Sequence, residues 1–343
     1  LASEGLHNIL VLTGDYSGTG VGGGGKPVFD IDSIGLLGLL GQMNGGLDVS
    51  RPNAKKPAHL APTQFYPGAV VTNFKLHENE VIPQLLKMEK KLEAGARFLI
   101  NQIGYDSRKI HELHAWMQRR GHGDVPLIGN VYVLNPGVAK VFSAQKIPGV
   151  VVSDELLAIC EQQRSSPEKG KEFFLELAAK QVAIYRGLGY RGAYLGGVHT
   201  IADIERVLEI EKSFGPDDWK QFAREIRYSR PGEFFVFAED PETGLANPEK
   251  LDPDYERSLQ TRPKTANVNL TYRFSKFTHD LMFNPGKGLW NLGAKLCGNA
   301  KDTMQGPPGM HALEHAGKSM MFGCKDCGDC SLPDIAFLCP ESS

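Results

Sequence analysis

Between residues 9 and 214 short apolar runs alternate five times with amphipathic stretches, and that alternation restricts the chain to a β/α class built on a parallel sheet. The apolar runs cover 9–15, 68–72, 97–102, 126–133 and 192–197. Between them the spacing predicts helices over 33–44, 81–93, 110–119, 154–162, 172–188 and 201–214. In the second of these Leu85, Met88 and Leu92 face inward, while Lys87, Glu89, Lys90 and Lys91 make a wet face. The spacing suits β/α units in either a barrel or an open parallel sheet, and a complete (β/α)8 TIM barrel needs eight strands. Five strong strands opening so close to the first residue predict a barrel whose first units lie upstream, and the chain begins on Leu1 rather than Met.

Ile9-Leu10-Val11-Leu12 suits a strand buried on both faces, and it stops abruptly in Thr13-Gly14-Asp15. Ligands of β/α folds sit at the C-terminal ends of such strands, so Asp15 is a site candidate. A helix N-cap or turn role explains it equally well. The glycine-rich segment after it is not a phosphate loop, because Lys26 is followed by Pro27 rather than Ser or Thr. Residues 49–67 read as a long loop.

From Phe214 the character changes. Residues 233–240 read as a strand, 241–255 as an irregular linker, and 269–283 as a helix. The division this implies is a barrel domain over 1–215 and a cysteine-bearing domain over 216–343. Cys324, Cys327 and Cys330 stand at intervals of three on a polar turn, and Cys339-Pro340 completes a set of four. That spacing belongs to metal or cluster ligands in a reducing compartment, which places the protein in the cytoplasm. A CxxCxxC triad with a remote Cys-Pro favours a [4Fe-4S] cluster over zinc, which remains the alternative. Cys160 and Cys297 stand alone, and His77 and His199 read as ordinary loop histidines.

Of the 343 residues, 41% are hydrophobic and 23% charged, with a formal net charge of -2. That balance gives no footprint for nucleic acid or an anionic membrane, and no apolar run is long enough to span a bilayer.

Leu12-Thr13-Gly14-Asp15, followed by Lys91, Gly95-Ala96 and Ile100-Asn101-Gln102, resembles the methylenetetrahydrofolate reductase family over about residues 5–205. From about residue 230 the chain is similar to the cysteine-rich module that accompanies some bacterial members. The resemblance implies an FAD-binding barrel that interconverts methylene- and methyl-tetrahydrofolate by hydride transfer from reduced flavin. It implies that Asp15 lies by the flavin pyrimidine ring, with Thr13, Gly14, Asn73 and Lys91 also at the cofactor. Gln102 would bond the pterin ring of the tetrahydrofolate substrate, so Asp15 and Gln102 are the implied catalytic pair. Thr13 departs from the pattern, since many members carry Arg there. The family's general acid belongs to a first strand that this sequence does not contain. The implied partners are an electron-donor protein or a second subunit, with self-association left open. A flavin-free folate-binding or methyltransferase-type barrel and a non-catalytic accessory subunit are the other readings.

Overall fold

The computed structural model describes residues 1–13, 31–50, 57–144, 149–198 and 200–261, with isolated positions between 270 and 289. The chain divides into two units, Leu1–Tyr16 with Val28–Arg257 and Ser17–Pro27 with Ser258–Ser343. The described residues belong mostly to the first.

Strand β1 (Asn8–Val11) leads to helix α1 (Ser33–Gly45), whose N-cap Asp32 accepts the Gly35 amide at 2.8 Å. A small antiparallel hairpin, β2 (Leu47–Val49) and β3 (Ala58–Leu60), occupies part of the segment expected to be loop. Then come β4 (Tyr66–Val71), α2 (Glu78–Glu93), β5 (Phe98–Asn101), α3 (Ser107–Arg119) and β6 (Leu127–Tyr132). Helices α4 (Pro136–Ser143), α5 (Asp154–Gln163) and α6 (Lys171–Gly187) precede β7 (Gly192–Gly196). After it follow α7 (Ile201–Ser213), α8 (Asp218–Glu225), β8 (Phe237–Glu239), β9 (Ala246–Leu251) and α9 (Pro253–Thr261). The first unit thus runs past residue 215 to Arg257.

Strands β1, β4, β5, β6 and β7 lie in that order, all parallel. The expected closed eight-stranded TIM barrel is not formed. The sheet is an open half-barrel curled through 190°, with its edges 12 Å apart. Closure ties strand number to tilt and stagger, and five strands at about 4.8 Å spacing cannot complete the circumference that eight define.

One face of the sheet is sealed by helices. Val11, Ala69, Leu99 and Val131 are at most 1% exposed, and they belong to the same core as Leu37, Leu85, Leu113 and Ile184. By strand alternation Leu10, Tyr66, Phe98 and Tyr194 point to the concave side. There Tyr66 stacks on Phe98 at 5.9 Å, and Leu10, Tyr66 and Tyr194 remain exposed.

Glu89, an expected surface charge on α2, turns into the protein. Glu89 accepts Trp116 Nε1 at 3.0 Å and both Nε and Nη2 of Arg120, at 2.8 and 2.9 Å, clamping α2 to α3. The Arg120 guanidinium holds the Glu89 carboxyl below the usual carboxylate range.

The region after residue 225 packs on α3. Asp106 caps α3 through the Lys109 amide at 2.9 Å, so the helix begins at Ser107 rather than 110. Strand β8 is shorter than expected because the amides before it bond elsewhere. Phe234 donates to the Leu76 carbonyl and Val236 to Glu112 Oε2, at 2.8 and 2.6 Å. The expected linker over 241–255 contains β9, paired antiparallel with β8. Asp240 forms their turn by accepting the Glu242 and Thr243 amides and the Thr243 hydroxyl.

Candidate functional site

The C-terminal ends of the parallel strands form one rim, where β/α proteins hold their ligands. Three expected site residues arrive there from distant parts of the sequence, Thr13 just beyond β1, Asn73 beyond β4 and Gln102 beyond β5. Gly14 and Asp15, which follow Thr13, lie outside the described residues.

Thr13 Oγ1 accepts the Ser33 amide at 3.2 Å and so ties the end of β1 to the start of α1. Gln102 is half-buried. Its Oε1 accepts the Ile103 amide at 2.9 Å, and its Nε2 has no acceptor among the described residues. Asn73 is completely buried, with Nδ2 donating to the Lys109 carbonyl at 2.7 Å and Oδ1 lacking a partner among the described residues. In this conformation it fastens the β4 end to α3 and offers no surface to a ligand.

Lys91 is also committed to the scaffold. The Val71 carbonyl accepts from Gln102 on the β5 side, so by the alternation of a parallel ladder the Val70 carbonyl faces β1. β1 pairs only as far as Val11 with Ala69, and Lys91 Nζ takes the Val70 carbonyl at 2.7 Å. Burial pushes the Lys91 ammonium down to about 8, with Lys87 adding to the shift and Asp32 opposing it.

His77 is the N-cap residue of α2, where the Glu80 carboxylate accepts the Leu76 and His77 amides at 3.2 and 3.0 Å. His199 lies outside the described residues.

Sequence reasoning missed the other half of the rim. Beyond β6 and β7 a cavity of about 660 Å3 opens, with Val133, Phe174 and Leu175 among its apolar walls and Arg164, Lys169 and Lys171 as its cations. Asn135 Oδ1 caps α4 by accepting the Gly137 and Val138 amides at 3.0 and 2.9 Å. The Asn-Pro-Gly after an apolar run was the available signal, a helix start at a strand end. The wall beside Lys169 is a left-handed turn, with φ of 50° at Glu168, 55° at Lys169 and 78° at Gly170. Only glycine adopts that conformation readily, and strain at non-glycine residues concentrates at functional sites.

Among the described residues no three His, Cys, Asp or Glu side chains gather as a metal-binding group. Cys324, Cys327, Cys330 and Cys339 lie outside the described residues. The expected closed barrel carrying an iron–sulfur cluster is not what the described residues form: they make an open half-barrel, and no metal-binding group gathers among them. No described helix is long and apolar enough to cross a membrane.

No protein-family model matches the sequence, and no curated protein matches it significantly.

Proposed function

We propose that the chain is a flavin-dependent oxidoreductase that interconverts 5,10-methylenetetrahydrofolate and 5-methyltetrahydrofolate. The observation that carries this reading is the convergence of Thr13 and Gln102 on one rim, at the ends of β1 and β5 on either side of β4.

The rim suits a flat ring system with polar edges. Leu10 and Leu12 are 39% and 57% exposed and offer apolar surface beside the β1 end. The uncommitted Gln102 Nε2 is a donor for a heterocycle edge, and Thr13 supplies a hydroxyl two strands away, at the end of β1. When bound, the flavin supplies hydride chemistry, which no side chain can provide. In this reading Gln102 orients the pterin, and Asp15, two positions after Thr13 in the sequence, tunes the flavin electronically. Lys91 and Asn73 are positioning residues that hold the β4 end in place through Val70 and Lys109.

The test is anaerobic purification of the full chain with flavin reconstitution, followed by reoxidation of the reduced protein with methylenetetrahydrofolate. The expected result is stoichiometric flavin uptake and substrate-dependent reoxidation, with Gln102→Leu raising the folate KM at unchanged flavin content. Absence of flavin uptake overturns the proposal.

A further inference from the structure

The cavity beyond β6 and β7 combines apolar walls with cations that the scaffold does not fully use. Lys171 is neutralised by Asp203 at 2.6 Å. Arg164 gives Nε and Nη2 to Glu161 at 2.9 and 3.0 Å, and Nη1 has no acceptor among the described residues. Lys169 has no ion-pair partner among the described residues and stands on the strained left-handed turn. Glu168, on the same turn, is the opposing charge at the cavity wall. The first amides of α4 are already satisfied by Asn135, so an anion entering here meets side chains rather than a free helix terminus. A volume of about 660 Å3 falls within the usual range for small-molecule sites.

We propose that this cavity binds a small organic oxyanion, with an apolar or aromatic body against Val133, Phe174 and Leu175 and its charged group on Lys169 and Arg164. Aliphatic and aromatic walls reward the body of such a ligand, and charge-assisted hydrogen bonds select its head. Carboxylate and phosphate share this chemistry. The site is separate from the β1–β4–β5 rim and stands whether or not flavin binds there.

The test is calorimetric titration of the full chain with phenyl phosphate and with benzoate, using benzyl alcohol as the uncharged control. At least one anion should saturate and bind about tenfold more tightly than the alcohol, the equivalent of one charge-assisted hydrogen bond. The tighter of the two anions identifies the head group. Lys169→Gln should weaken that anion severalfold and Glu168→Gln should tighten it, while both variants keep the native circular dichroism spectrum. Because the two changes are neutral, adjacent and opposite in expected sign, a general loss of structure cannot mimic the pattern. Failure of both anions to saturate, equal binding of the alcohol, or an unchanged affinity in Lys169→Gln overturns the proposal.

Discussion

Lys109 Nζ stands 3.1 Å from Glu112 Oε1 with neither side chain exposed, a buried ion pair spanning one turn of α3. Each partner also serves the segment laid over the helix. Lys109 donates to the Phe234 carbonyl, and Glu112 Oε2 accepts the Val236 and Phe237 amides at 2.6 and 3.3 Å. Arg108 extends the attachment through the Phe237 carbonyl at 2.7 Å, with its guanidinium 3.8 Å above the Phe235 ring. The pair therefore fastens the β8–β9 hairpin to α3.

Removing one charge leaves the other buried and unpaired. Glu112→Ala should cost about 3–5 kcal/mol in urea denaturation. Lys109→Met with Glu112→Gln removes both charges and keeps an acceptor for Val236, so it should recover most of that loss. An unshifted urea midpoint in Glu112→Ala would show that the pair does not hold the hairpin.

Lys91 gives a pH signature of defined sign. Its folded-state pKa of about 8 lies below the ordinary 10.5. Between those values the unfolded chain holds the proton more strongly, so this residue makes stability climb as pH rises through that window. Below it, the cost of keeping the half-buried ammonium is fully present. The difference in Tm between the native protein and Lys91→Met should move in favour of the native protein between about pH 8 and about pH 10. A flat difference would mean that Lys91 is solvated.

Gly129 is required by a ring, not by its backbone. A methyl group there would lie inside the contact surface of the Tyr185 ring, whose hydroxyl is held by Asn101 Nδ2 at 2.9 Å. Gly129→Ala should cost about 1–3 kcal/mol, the usual penalty of overpacking. Combining it with Tyr185→Leu should give less than the sum of the single losses. Strict additivity in the thermal melts would remove the contact from the account.

The sheet was legible because each strand is a short apolar run, and buried runs of that length have few other uses. The five strands of the parallel sheet were legible, but β2, β3 and β9 were not, and neither was the openness of the sheet, which depends on curvature that no residue type encodes. The start of α3 was hidden because Ser107-Arg108-Lys109 looks like solvated loop. Those residues are buried by a segment more than a hundred positions later, as the Ser107 hydroxyl on the Ile226 carbonyl at 2.9 Å illustrates. That Thr13 and Gln102 fall at strand ends was readable from where the apolar runs stop. The diversion of Lys91 to Val70 was not, because it follows from where β1 stops pairing. Of the cavity by β6 only the Asn-Pro-Gly helix start showed, because its cations come from residues 164–171 and only the tertiary path brings them to Asn135.

The left-handed turn offers the last test, in which two substitutions at one position should act oppositely. Glu168 has φ 50° and ψ 28°, and Gly170 in the same turn already has φ 78°. A non-glycine residue in this region carries roughly 1–2 kcal/mol of steric cost. Glu168→Gly releases that cost but gains unfolded-state freedom worth about 0.5–1 kcal/mol, so a small net rise in stability is expected. Glu168→Val puts a branched side chain where the backbone least tolerates it and should lower stability by more than about 1 kcal/mol. Both variants remove the carboxylate, so charge cannot account for a difference between them. Thermal melts that shift in the same direction for both would show that the turn is not held in the left-handed conformation.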